Sequence, residues 1–413
     1  VAAPARFAAE ELMALLSVAD ALERVTRGLA PLEAEHVALD RGRGRVLAEN
    51  LAARLTQPPF DASAMDGYAV RAQDVSALPA TLKLVGQAAA GGGFRGRVGP
   101  WEAVRIFTGA PLPDGADTIV IQEYAEEASG SVTVKEVAEG QHIRPRGQDF
   151  AEGDILLTAG TWLGPRELML AAAMNHAELP VRRKPKVAIL ATGDEVMAPG
   201  SELTADQIVS SVPFGIAALI EAHGGEAMSL GIAKDELESI VTLARAGKGA
   251  DILLTIGGAS VGERDLVATA LKSEGLRLDF WKIAMRPGKP MLYGRIGEQR
   301  VLGVPGNPVS AMICAHIFLL PMMDRMLGLA EDARPKPEAV LGQAIEANGA
   351  REHYMRARSE WEEDGTRIVQ PLSSQDSSLV AALVRADCLI VREPNAPPLP
   401  KGASVRIVPL ERG

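Results

Sequence analysis

Cysteine is nearly absent. The 413-residue chain has two, Cys314 and Cys388, each inside an apolar run, and thiols so placed read as buried and reduced, which argues against a disulfide or a ligand pair. Histidine is also sparse: six residues are scattered along the chain, so there is no Cys/His cluster at metal spacing. A Walker A lysine loop, a Gly-x-Ser-x-Gly elbow and a dinucleotide fingerprint are missing too; Gly257-Gly258 lacks the further glycines that the last requires. Basic charge is not in excess. The net charge of −10 argues against general nucleic-acid binding, which usually shows as a basic face. The N-terminus lacks the charged-then-apolar order of a signal peptide, and the longest apolar candidate, Ala311 to Met323, is broken by His316 and Pro321 and falls short of the ~20 residues that a membrane span needs. These absences predict a soluble cytoplasmic protein with no membrane and no nucleic-acid partner.

What is present is enough apolar content, 47%, to bury several cores, and at ~100–200 residues per domain the length predicts two to four domains. Apolar positions at helical spacing between residues 8 and 30 predict a packing helix, followed by a short strand at His36–Asp40. From Thr81 to Val134, short β-prone runs alternate with glycine clusters, the pattern of a small all-β module inserted in the N-terminal half. Arg166 to His176 reads as helix. The proline-flanked basic stretch Leu179–Lys186 reads as a linker.

Beyond it, strands at Val187–Ala191, Ala227–Ile232, Asp251–Ile256 and Leu278–Ala284 alternate with helical segments, and Val309 to Leu327 reads as one long helix. This alternation predicts a doubly wound, mainly parallel α/β sheet, whose ligands bind outside the carboxyl ends of the strands. After a second boundary at Ala333–Pro337, short β-prone runs predict a small barrel or sandwich.

Several loops carry the chemistry. Thr192-Gly-Asp-Glu195, Thr255-Ile-Gly-Gly-Ala-Ser-Val-Gly262 with Asp265 behind it, Met285-Arg-Pro-Gly-Lys-Pro290 and Val304-Pro-Gly-Asn-Pro-Val-Ser310 all follow strands. Glycines let a backbone approach a ligand, and a helix N-terminus favours an anion. Carboxylates (Asp66, Asp149, Glu195, Asp235, Asp265) and cations (Lys282, Arg286, Lys289) stand near these loops. That combination suits phosphate with Mg²⁺, which takes one or two protein oxygens and fills its shell with water and substrate. Each residue taken singly is more readily a plain ion pair. Their joint position at one sheet edge favours a site.

Seven motifs in register then carry a resemblance: Ser63-Ala-Met-Asp-Gly-Tyr-Ala69, Thr108-Gly-Ala-Pro111, Arg146-Gly-Gln-Asp149, Thr192-Gly-Asp-Glu195, Gly257-Gly-Ala-Ser-Val-Gly262, Arg286-Pro-Gly-Lys-Pro290 and Pro305-Gly-Asn-Pro-Val-Ser310. Together they resemble the molybdopterin molybdenumtransferase family, which includes the E domain of gephyrin. The resemblance implies an elongated homodimer of four domains per chain: an N-terminal α+β domain (1–56 and 141–182), an inserted β-rich domain (57–140), an α/β molybdopterin-binding domain (183–330) and a C-terminal β-barrel (331–413). It implies insertion of molybdenum from molybdate into adenylylated molybdopterin with Mg²⁺-dependent release of AMP, downstream of a molybdopterin adenylyltransferase.

The implied site lies between the third domain of one subunit and the second domain of the other. Asp66, Glu195 and Asp265 are the leading catalytic carboxylates, with Asp235 and Asp149 behind them, and Glu195, Asp235 and Asp265 are the metal candidates. Thr108, Thr192, Gly257, Gly258, Ser260, Lys282, Arg286, Lys289, Pro305, Pro308 and Ser377 are the substrate-binding candidates. Three positions depart from the pattern: Val212 after Ser211 where an asparagine is common, Arg286 for lysine, and Asp376 for glycine. An adenylyltransferase acting one step earlier, a tungsten-inserting paralogue and a non-enzymatic scaffold are the competing readings.

Overall fold

The computed structural model describes residues 15–137, 142–258, 266–330 and 337–410. Its centre is a six-stranded sheet in the order Glu226–Ala233, Lys186–Thr192, Ile252–Ile256, Gln299–Val304, Pro290–Ile296, Arg277–Lys282. The first four strands run parallel and the last two pairings are antiparallel. Parallel strands are covered on both faces, so they read as unbroken apolar runs; Val187 to Ala191 and Ile252 to Ile256 are accordingly buried throughout. One face packs against helices Val212–Ala222 and Pro308–Leu327 and the other against Leu237–Ala246 and Leu266–Ser273.

The long C-terminal helix of this unit differs from the expected single α-helix. Pro308–Cys314 and Leu320–Leu327 are α-helical, but Ala315–Leu319 forms a π-turn in which the Leu320 N–H reaches back to the Ala315 carbonyl. Pro321 has no N–H and its ring crowds the preceding turn, so one wider turn accommodates it without breaking the axis. The whole stretch is 20 residues long with a mean hydropathy of 1.3, and 83% of its most apolar part is buried. By length and composition it could span a membrane, longer than the sequence reading allowed; its burial makes it a core helix.

The N-terminal helix is Val18–Thr26, capped by the Ser17 hydroxyl, which accepts from the Asp20 N–H. Val18, Ala21 and Val25 join the core of the central sheet, and the Tyr293 hydroxyl donates to the Val25 carbonyl at 3.2 Å. Ala34–Ala38 pairs antiparallel with Glu178–Arg182, so chain segments separated by the whole inserted module meet again.

That module is a six-stranded sheet in the order Thr118–Ile121, Gly67–Val70, Glu102–Ile106, Ala80–Ala88, Ser131–Val134, Ala125–Ala128. At the far end, Glu352–Trp361, Arg367–Pro371, Glu338–Leu341, Ser404–Pro409 and Cys388–Arg392 pair in sequence, and the last returns to the first. They close a five-stranded barrel, which removes exposed edges. The short strand Met285–Arg286 pairs with Glu352–His353, linking the barrel to the α/β unit.

Two glycines of the inserted module separate fold from freedom. A Cβ on Gly67 would stand 2.0 Å from the Val120 carbonyl oxygen, whereas one on Gly92 would meet nothing within 4 Å. Gly67→Ala is expected to cost about 2–3 kcal/mol by overpacking, and Gly92→Ala to stay within about 0.5 kcal/mol of the parent. Urea denaturation of the two variants checks this.

Candidate active site

Four loops leave the carboxyl ends of the parallel strands and surround a cleft of about 780 Å³. Of the residues picked out in the sequence, Thr192, Glu195, Asp235, Gly257, Gly258, Pro305 and Pro308 line it. Thr192 ends the strand Lys186–Thr192, and its hydroxyl donates to the Ile256 carbonyl at 3.4 Å. Gly257 and Gly258 adopt left-handed backbone with φ of 85° and 65°. On Gly258 a Cβ would stand 2.2 Å from Val267 Cγ2, so both the turn and its close packing require glycine. Asp265 and Ser260, read from the sequence as site residues, lie outside the described residues.

The cleft is acidic at one wall. The Asp235 N–H donates to Asp194 Oδ1 at 3.1 Å. Partial burial, followed by the negative charges of Asp194 and Glu195, raises the carboxyl of Asp235 above the usual carboxylate range, although the residue itself stays open to solvent. Asp194 was passed over in favour of Glu195, yet it sits in the same Thr-Gly-Asp-Glu turn. Among the described residues no three His, Cys, Asp or Glu side chains converge tightly enough to hold a metal ion alone. Apolar side chains adjoin the acidic wall: Ile208 and Val209, on a short strand paired with Val196–Met197, are exposed and line the cleft, and the Ile208 N–H donates to the Glu195 carbonyl at 2.8 Å.

The barrel contributes to the cleft as well. Asn307 Nδ2 donates to Ser377 Oγ at 3.2 Å and the Val309 N–H to the Ser377 carbonyl at 3.1 Å, so Ser377 braces the Pro305–Ser310 loop while its neighbour Ser378 lines the opening. The buried Arg356 builds this loop by donating to the carbonyls of Ser374, Asp376 and Leu379. The unusual Asp376 caps the turn: its Oδ1 accepts from the Ser378 N–H at 2.9 Å and the Ser378 hydroxyl at 2.7 Å, which holds its carboxyl below the ordinary range. Ser210, Ser211 and Val212, where valine replaces the common asparagine, line the cleft at the start of their helix.

Lys282, Arg286 and Lys289 are not on the cleft wall. Arg286 lies beside the barrel, with Arg351, Arg356 and Arg392 near His353. Burial, reinforced by those four guanidinium groups, depresses the His353 imidazolium to about 4.

Asp66, Thr108 and Asp149 stand apart from this cleft, on the N-terminal half. The Thr108 N–H and hydroxyl both donate to Asp66 Oδ1, at 2.7 and 2.8 Å, and these two bonds, backbone first, hold the carboxyl below its usual value. Among the described residues, Asp66 Oδ2 accepts no hydrogen bond. Gly109 N–H donates to the Ser63 carbonyl, and Ile143–Arg144 pairs with Ala62–Ser63, which brings the Arg144–Asp149 loop to the same face. Asp149 is exposed there.

Residues 16–175 match the MoeA N-terminal region (domain I and II), 188–325 a probable molybdopterin binding domain, and 338–410 the MoeA C-terminal region (domain IV). A molybdopterin molybdenumtransferase of Haemophilus influenzae is 34% identical over 383 residues, covering 92% of this chain and 94% of that one. The chain belongs to the molybdopterin molybdenumtransferase family. The family member of the same name from Bacillus subtilis is 32% identical over 386 residues, covering 91% and 90% of the two chains. Among solved structures, a molybdopterin biosynthesis MoeA protein of Pyrococcus horikoshii superposes with a TM-score of 0.81 at 30% identity, over 97% of this chain and all of its own.

The neutral His353 gives a pH signature. Its folded pKa is depressed, so the associated stability is fully present above about pH 6.5 and is lost as pH falls toward about 4. The difference amounts to on the order of 3 kcal/mol. Chemical denaturation between pH 7.5 and 4 should show this slope in the parent protein and a shallower one in His353→Gln.

Proposed function

We propose that this enzyme of the molybdopterin molybdenumtransferase family inserts molybdenum from molybdate into adenylylated molybdopterin and releases AMP, in a site that two copies of the chain build together. The observation that carries the reading is the separation of the acidic groups. Glu195 and Asp235 line the cleft at the sheet edge, while Asp66, held by Thr108, and Asp149 lie on another face of the same chain. A homodimer that brings the inserted module of one subunit to the α/β cleft of the other unites them.

In this arrangement Gly257 and Gly258 offer bare backbone to phosphate, with Thr192 beside them and Ser260 following in sequence. Lys282, Arg286 and Lys289, on the segment that reaches the cleft wall only at Pro290, are the proposed partners of the molybdate oxyanion, for which charge-assisted hydrogen bonds are natural. Asp66, with one oxygen fixed and the other open, orients water or a polar edge of the substrate. Pro305 and Pro308 stiffen the loop entering the last helix.

The crowding of Asp194, Glu195 and Asp235 favours a hard divalent cation, because it leaves oxygen donors with excess negative charge. Glu195, Asp235 and Asp265 would hold Mg²⁺, which when bound offsets the charge of the phosphate oxygens. The four-part division at 56, 140, 182 and 330 belongs to the same proposal. Separate cores in the N-terminal unit, the inserted sheet and the barrel support it, while helix Val18–Thr26 shares the α/β core. A cytoplasmic location fits two buried free thiols, Cys314 and Cys388.

The match to the MoeA N-terminal region over residues 16–175 favours this reading over an adenylyltransferase. The test is purified protein with adenylylated molybdopterin, Mg²⁺ and molybdate, following AMP. Asp66→Asn and Glu195→Gln should each lower turnover by about a hundredfold or more while dimerisation persists. Mixing and refolding equal amounts of the two variants should then restore about a quarter of parental activity, since half the dimers are mixed and each has one intact site of two. No restoration on mixing, or full turnover by a monomer, overturns the shared site.

A further inference from the structure

Arg105 was not among the residues selected from the sequence, where it is one position in a β-prone run. It lies on the strand Glu102–Ile106, opposite Tyr68 in the antiparallel pairing with Gly67–Val70. Its guanidinium stands over two rings, 4.8 Å from the centroid of Tyr68 and 5.2 Å from that of Phe107. It also donates to Gln122 Oε1 at 2.7 Å and to the Gly67 carbonyl at 3.4 Å.

Each of these contacts leads to the same pair. Gly67 follows Asp66, Phe107 precedes Thr108, and the Gln122 N–H donates to the Asp66 carbonyl at 3.1 Å. One planar cation thus touches the neighbours of Asp66 and of Thr108 on separate strands, 42 positions apart in sequence. A longer contact network of this kind fixes relative position more than it adds stability, because a half-exposed guanidinium is worth little as a mere ion pair.

We propose that Arg105 is a positioning residue for the reaction: it sets the distance and angle at which Thr108 holds Asp66, so that the open carboxylate oxygen meets the substrate. The inference rests on the reading of Asp66 as a site carboxylate. The planar fork matters, since a lysine ammonium cannot fill the slot between two rings and reach both acceptors.

The test combines turnover with a readout independent of it. In full-length dimeric protein, Arg105→Gln and Arg105→Lys should both lower kcat by about ten- to a hundredfold, with KM for molybdate and for adenylylated molybdopterin changing less than twofold. Asp66→Asn with Arg105→Gln should be no slower than Asp66→Asn alone, because the arginine acts through that carboxylate. Independently, hydrogen exchange at the Thr108 amide should accelerate at least tenfold in Arg105→Gln while the strand Thr118–Ile121 keeps its protection. Multiplying losses in the double variant, a raised KM with unchanged kcat, rescue by lysine, or an unchanged Thr108 exchange rate each overturns the proposal. Parental protein that releases no AMP, with Thr108 exchange still accelerated in the variant, sinks the proposed function and leaves the positioning of Asp66 intact.

Discussion

Like charges crowd one wall of the cleft, and much of the site follows from that constraint. Asp194 accepts the Asp235 N–H and Glu195 stands in the same turn, and partial burial followed by these two charges raises the Asp235 carboxyl. A polyanionic nucleotide cannot approach such a wall unless positive charge comes with it. Arg286, Arg351, Arg356 and Arg392 gather elsewhere, near His353, where burial first and their charge second keep the imidazole neutral. A net charge of −10 conceals this local segregation: an acidic edge on the sheet and a basic joint with the barrel.

The geometry between the N-terminal unit and the sheet has its own fastening. Arg183 makes two 2.8 Å hydrogen bonds to the two oxygens of Asp251 and a third, at 2.7 Å, to Glu33, while the Lys186 N–H donates to the same Asp251. A bidentate fork specifies direction as well as distance. The neighbouring Arg182 adds bonds to the carbonyls of Leu32 and Ala48. The basic stretch that reads as a linker is therefore a structured joint, because its arginines find carboxylates and carbonyls from both sides.

Sequence made the central sheet legible for a physical reason: strands covered on both faces must be apolar throughout, and Val187–Ala191 and Ile252–Ile256 are. The loops at their carboxyl ends could be placed for the same reason. The π-turn at Ala315–Leu319 could not, since Pro321 is equally compatible with a kink or a break until the surrounding core decides. The union of Asp66 with Thr108 was visible only as two motifs that happen to recur in one family; the bonds between them depend on strand register. Ser378 escaped notice beside Ser377 because a turn capped by Asp376 determines which of the two faces the opening. Arg105 escaped because its partners are rings and carbonyls, which leave no charge pattern to read.

Hydrogen bonding also bears on the proposed sharing of the site between two chains. Thr108 gives two donors to one oxygen of Asp66, and among the described residues the other oxygen accepts none. The cleft, for its part, is walled by residues from Ala191 to Ser378, with none from the inserted module. Asp66 is partly exposed, so water can satisfy that oxygen in the lone subunit, and it stays open to a ligand without the cost of a buried unpaired acceptor. A second chain presenting its α/β cleft would then meet a carboxylate that Thr108 has already oriented.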